Sequence, residues 1–168
     1  MNFLEGVALR LEVILCLRNN VWKYPFFWGN NMIVIVCLDD KNGMMFNHRR
    51  QSRDQAVTER IQKICKGKIV WMNSYSEKLY GSLEGAKAVV ADDFLSLASG
   101  GEYCLVESER LAPFIEKIEK MIIFGWNRTY PADVYLDLDL SHWERKGRDE
   151  FHGSSHERMT EEIYERRI

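Results

Sequence analysis

The side chains that could do chemistry lie in a few places. His48-Arg49-Arg50, with Arg53, is the densest basic cluster. Such a cluster can pair with a phosphate, a polyglutamate-like acid or a nucleic acid, or stand solvated in a loop. Asp54 follows and opens a stretch with helical spacing. A carboxylate there complements the helix dipole. Facing an apolar pocket, it can instead accept hydrogen bonds from the N–H groups of a ligand, and partial burial would raise its pKa. Ser74 and Ser76 begin another short helical stretch, where hydroxyls and amides cap the helix or bind phosphate. His152 and His156 lie near Asp149 and Glu150. Their H-x-x-x-H spacing joins two rings only on a helix, and Gly153-Ser154-Ser155 is a poor one, so a solvated loop is expected and no metal site. The four histidines (His48, His142, His152, His156) do not follow the His-x-His-x-Asp-His pattern of metallo-β-lactamase-like ribonucleases. No Ser-His-Asp or Cys-His arrangement can be read from the sequence.

These residues need a scaffold. A chain of 168 residues fits one domain with a single core. A formal charge of −2 argues against general nucleic-acid binding and leaves room for a local basic patch. The four cysteines are widely spaced with no C-x-x-C pair, which gives neither a zinc knuckle nor a redox dithiol. Cys37 and Cys104 sit in apolar strand patterns as small core residues, and free core thiols suit a cytoplasmic location. No run reaches about 18 apolar residues, so no membrane helix is expected. Glu5, Arg10 and Glu12 interrupt the N-terminal apolar run, which is therefore a poor signal peptide.

Residues 1–31 differ from the rest, with Trp22, Tyr24, Phe26, Phe27 and Trp28 around Pro25. They read as an extension upstream of a start at Met32 that need not be native, or as a short helix with an aromatic hook. Residues 32–168 read as the domain. Ile33–Leu38 is a continuous apolar strand buried on both faces, ended by Asp39-Asp40-Lys41-Asn42-Gly43 as a turn. Met44–Arg50 reads as a loop. A helix follows, with a Ser52/Gln55 capping box, an apolar face of Val57, Ile61 and Ile64, and a stop at Gly67. Lys68–Met72, Ala88–Ala91 and Tyr103–Val106 are further strands. Ser74–Tyr80 and Phe94–Ala98 are short helices. Leu111, Phe114, Ile115 and Ile118 mark another helix, with Pro113 in its first turn. The last third supplies a strand from Met121 to Phe124, an alternating run Val134, Leu136, Leu138, Leu140, a buried Trp143, a polar loop and a short Ile163-Tyr164 strand. Trp71, Trp126 and Trp143 are core or pocket walls. The sum is an α/β domain with a mixed, mainly parallel sheet flanked by helices.

That order of elements resembles the dihydrofolate reductases. Met32–Asp40 is similar to their first strand, and Gln51–Thr58 occupies the place of their "Leu-Pro-Ala-Asp-Leu" helix start. Lys68–Glu77 (KIVWMNSYSE) resembles "Pro-Ile-Ile-Met-Gly-Arg-Lys-Thr-Phe-Glu", and Ala86–Val90 resembles "Arg-Lys-Asn-Ile-Val". The closing third follows the family's aromatic strand, "Ile-Asp…Trp" step and "Tyr-Glu-Arg" strand. The resemblance implies a dihydrofolate reductase-like fold. It also implies NADPH as cofactor and a small heterocyclic substrate, with no metal. It places the pterin-binding carboxylate on Asp54 and cofactor contacts on Ser74 and Ser76. The Arg49, Arg50 and Arg53 loop falls beside the pocket as a substrate or anion contact.

Several positions depart from the family pattern. Ser74 falls where the family has a phosphate-binding Arg. Glu107-Ser108 replaces the Gly-Gly that lets backbone approach the cofactor, Ala86 replaces the Arg that holds the folate carboxylate, and Phe124 replaces the Thr that braces the pterin-binding Asp. Three readings stand. The first is an NAD(P)H-dependent reductase of a pterin-like heterocycle, with Asp54 orienting substrate. The second is a divergent, non-catalytic ligand- or protein-binding member of the fold that uses the Arg49–Arg53 loop. The third is a ribonuclease or nucleic-acid-binding protein.

Overall fold

The computed structural model describes residues 31–167. The expectations for residues 1–30 lie outside the described residues. The chain alternates short apolar strands with helices, and the strands gather into one sheet. Seven strands form it: β1 (Met32–Leu38), β4 (Ile69–Met72), β5 (Lys87–Val90), β6 (Tyr103–Val106), β7 (Ile118–Gly125), β9 (Trp143–Phe151) and β10 (Met159–Arg166). Their order is β5-β4-β6-β1-β7-β10-β9. Pairing is parallel from β5 to β7 and antiparallel through β10 and β9. This is the mixed, mainly parallel sheet that the sequence implies.

Strand residues alternate between faces. Val34, Val36 and Leu38 of β1 join one core with Phe94, Leu111, Met121 and Trp143. Ile35, with Ile33 and Cys37 packed beside it, joins the other with Val57, Ile61, Cys65, Val70, Met72, Phe124 and Trp126. Helix α1 (Gln55–Cys65) lies on this second face, and its Val57, Ile61 and Cys65 form one buried stripe. Helices α2 (Ser74–Tyr80) and α3 (Phe94–Leu97) complete the set.

Five local expectations change. Met44–Arg50 is a hairpin, not a loop: β2 (Gly43–Phe46) pairs with β3 (Arg49–Arg50), and β8 (Val134–Tyr135) joins the other side of β2. Asn47 and His48 both have positive φ (48° and 59°), the conformation of a two-residue hairpin turn. The cap of α1 is Asp54 rather than Ser52: its side chain accepts from the Ala56 amide. Residues 111–118 do not form an α-helix. Ala112–Lys117 is a 3₁₀ turn, and Ile118 already starts β7, paired with Met32. The polar stretch after Trp143 is the nine-residue edge strand β9, and β10 is a full eight residues. The alternating run from Val134 gives only the two-residue β8, although Leu136 and Leu138 are buried.

Candidate functional site

The segment from Arg49 to Asp54 leaves the small sheet, crosses the end of β1 and enters α1. It carries most of the predicted site residues. Arg50 is the first to turn inward. Its backbone N–H donates to Tyr75 Oη at 2.9 Å. Its guanidinium forms a two-pronged bond to Glu107, Nε to Oε1 at 2.8 Å and Nη2 to Oε2 at 2.9 Å. Such a fork holds both planes in register. It also lies over the Tyr75 ring, 4.7 Å from the centroid. Ser76 is fully buried and donates its hydroxyl to Glu107 Oε2 at 2.7 Å.

Glu107 therefore projects inward from the end of β6 and is neutralised there. The space it enters is bounded by Cys37, Met44, Arg50, Tyr80, Val106 and Trp126, and its volume is about 10 Å³. That is room for about one water, whereas ligand pockets run to hundreds of Å³. Burial pushes the Cys37 thiol far above its usual range, so this sulfur is a neutral thiol and not a nucleophile.

The predicted cofactor residues separate. Ser74 is the exposed first residue of α2, whose cap is Asn73: the Asn73 side chain accepts from Ser76 N at 2.8 Å. Ser76 faces the opposite way, onto Glu107. Beyond the ends of β5 and β6, Asp92, Asp93 and Glu109 line a depression of about 250 Å³. Its one cation, Arg110, is paired with Asp137 at 3.3 Å. Ala86 packs partly buried against the second core. Phe124 is fully buried, edge-on to Phe151 with ring centroids 6.4 Å apart. Arg49 and Arg53 are exposed and form no ion pair among the described residues.

Asp54 is buried, and its lone pairs are taken by its own chain. Oδ1 accepts from Ala56 N (2.9 Å), Ser154 N (2.8 Å) and Ser154 Oγ (2.9 Å). Oδ2 accepts from Ser155 N (2.8 Å), Ser155 Oγ (3.0 Å) and His156 Nδ1 (3.1 Å). Burial alone would raise its pKa, but the Ser154 and Ser155 amides and His156 outweigh burial and hold the carboxyl well below the usual carboxylate range. The expected upward shift is thus reversed. The 152–156 loop reaches this close because Gly153 has no side chain: a Cβ there would lie 2.5 Å from Asp54 Oδ2 and 2.7 Å from the His156 carbonyl.

His156 corrects the expectation of a solvated histidine. It is 5% exposed, stacked on Trp126 with centroids 5.0 Å apart. Its Nε2 meets Tyr130 Oη at 2.9 Å and Ser52 Oγ at 3.4 Å. His152, by contrast, is exposed. No group of three or more potential metal ligands occurs among the described residues. No helix among them is long and apolar enough to cross a membrane. A second buried carboxylate, Asp39, fixes the neighbouring loops: it accepts from Gly43 N (2.7 Å), Lys41 N (2.8 Å), Tyr130 N (3.0 Å) and Gln51 Nε2 (3.1 Å).

Neither a protein-family model nor a curated protein matches the sequence. The solved structures give a clear likeness. Dihydrofolate reductase from Enterococcus faecalis, solved in complex with NADP(H) and RAB-propyl, superposes with a TM-score of 0.60. The match covers 83% of this chain and 98% of that one, at 10% sequence identity. With the strand order above, this assigns the chain a dihydrofolate reductase-like fold carried by a widely divergent sequence.

Proposed function

We propose that this chain is a ligand- or protein-binding member of the dihydrofolate reductase-like fold that does not perform the hydride transfer of its structural neighbour. The observation that carries this reading is the Arg50–Glu107–Ser76 cluster, which leaves about 10 Å³ between β1, α1 and α2. A nicotinamide and a pterin must stack in contact for hydride to pass, and a space of this size holds neither. Two further features agree. In open α/β sheets, ligands bind beyond the carboxyl ends of the strands. Here that rim carries Asp92, Asp93 and Glu109, which repel a pyrophosphate. Asp54 has its oxygens committed to six donors of its own chain, and so offers no free acceptor to an aminopyrimidine. The contact surface proposed instead is the exposed basic edge of Arg49 and Arg53.

The reductase reading keeps one supporting observation, the fold shared with a protein solved in complex with NADP(H). In that reading Asp54 orients the substrate, Ser74 and Ser76 meet the cofactor, and Glu107 swings out. A spectrophotometric assay decides between the two. NADPH and NADH are incubated with dihydrofolate and the full chain, and thermal shift is followed in parallel. No oxidation and no cofactor-dependent rise in Tm is expected. Turnover by the folded wild type would restore the reductase. Bound dinucleotide would raise the melting point by mass action.

A further inference from the structure

The fold brings His156 to two residues, Ser52 and Asp54, that lie more than a hundred positions earlier, and hydride transfer has no use for the three as a set. His156 sits among a carboxylate and three hydroxyls, with Ser155 Oγ 3.0 Å from its Nδ1. Asp54 Oδ2 lies 3.1 Å from Nδ1, while Tyr130 Oη and Ser52 Oγ lie 2.9 and 3.4 Å from Nε2. A carboxylate holding five other donors is ionised and can only accept. With the Ser155 hydroxyl donating to Asp54 Oδ2 or to the Arg53 carbonyl, the proton belongs to Nδ1, and Nε2 presents its lone pair to Tyr130 and Ser52. Trp126 fixes the plane of the ring. Ser52 Oγ has no other hydrogen-bond partner among the described residues, and Ser52 is partly open to solvent. Tyr130 is the competitor for the same lone pair.

We propose that Ser52, His156 and Asp54 act as nucleophile, general base and orienting carboxylate, taking an acyl group from an activated ester or thioester that carries a negative charge. In this step Ser52 Oγ forms a bond to the acyl carbon as its proton passes to His156 Nε2. The carbonyl π pair moves onto oxygen. Collapse expels the alcohol or thiol, which leaves with the proton from Nε2. Water then repeats the sequence on the acyl-serine and releases a carboxylic acid. A nucleophile–base distance of 3.4 Å is within what such pairs show before substrate binds. The anionic preference follows from Arg49 and Arg53, both exposed, on either side of Ser52 in the chain. Gln51 Oε1, at the same small cavity, is buried without a partner and can accept from the attacking water. A purely structural histidine needs one hydroxyl on Nε2; here two converge, and one belongs to a half-buried serine.

The test treats the full-length protein with a fluorophosphonate probe and, separately, with p-nitrophenyl succinate and p-nitrophenyl acetate. It reads intact mass, the modified peptide and nitrophenolate release. One adduct on Ser52 is expected. It should be absent in Ser52→Ala and form about a hundred-fold or more slowly in His156→Gln. Tyr130→Phe removes the competitor and should label faster than wild type. The succinate ester should react faster than the acetate, and Arg53→Ala should abolish that difference. No adduct on the folded wild type, an adduct that persists in Ser52→Ala, or an unchanged rate in His156→Gln would overturn the proposal. Should His156→Gln fail to fold, slower labelling in Tyr130→Phe overturns it equally. Equal rates for the two esters would overturn the anionic substrate class.

Discussion

Arg50 and Asp54 belong to one short segment, yet they are held by different kinds of contact. Arg50 is tied by side chains: its fork to Glu107, which also accepts from the Ser76 hydroxyl, with the two charged side chains 19% and 11% exposed. Asp54 is tied by three backbone amides, those of Ala56, Ser154 and Ser155, together with three side chains of a loop a hundred residues away, and its own side chain is fully covered. Side-chain contacts at a partly open cleft can be exchanged for contacts to a ligand by rotating bonds. Amide contacts to a buried carboxylate can be exchanged only by unfolding the loop. The Arg50 end is therefore a stopper in the cleft, and the Asp54 end is a structural anchor.

The contrast sets the order of expected effects. Asp54→Asn should be the most damaging, because it turns one acceptor oxygen into a donor among donors. A loss of about 3–5 kcal/mol is expected in urea unfolding, as for breaking other buried charged contacts. The acid limb of stability should change with it. The folded pKa of Asp54 lies well below its unfolded value, so the unfolded chain binds the proton first as pH falls. The contribution is complete above about pH 4 and is lost as pH drops toward the folded value. Asp39, also lowered, acts in the same sense. Unfolding midpoints between about pH 2 and pH 5 should fall less steeply in Asp54→Asn than in wild type. An unchanged slope would mean that the anchor is not ionised.

Gly153→Ala comes next. The added methyl would meet Asp54 Oδ2 and the His156 carbonyl, and a backbone carbonyl cannot step aside. A cost of about 2 kcal/mol is expected by thermal or chemical unfolding. At the stopper, Glu107→Gln keeps shape but removes one charge of a partly exposed pair, so about 1 kcal/mol is expected. If it instead costs as much as Asp54→Asn, the distinction between stopper and anchor fails. Ser76→Ala should cost least, at or below about 1 kcal/mol, since Arg50 still satisfies Glu107.

Some of this was legible in the sequence and some was not, for physical reasons. The strands β1, β4 and β6 are buried on both faces, so continuous apolar runs announce them. β9 reads as a loop because it is the outer strand, and Glu144-Arg145-Lys146 and Arg148-Asp149-Glu150 keep that edge solvated and unattractive to other strands. The β2–β3 hairpin hides behind an Asn47-His48 turn without glycine. At Ile118 the helical spacing misled, because parallel pairing with β1 outweighs the periodicity of a Pro-containing run. The inward role of Glu107 was visible as a departure from the family's glycines, but its partner Arg50 was not, since the pairing spans 57 positions. His156 was the largest miss: Gly153-Ser154-Ser155 has loop composition, and it is Asp54, 102 positions earlier, that gives the loop its shape. The only local sign was a glycine set among hydroxyl donors.

The central claim is the proposal that Arg50, Glu107 and Ser76 close the cleft between β1, α1 and α2 to a dinucleotide. Isothermal titration calorimetry of the full chain with NADPH tests it most directly. No saturable heat is predicted up to millimolar nucleotide, in wild type and in Ser74→Ala alike. A one-site isotherm with a micromolar Kd in the wild type would contradict the account.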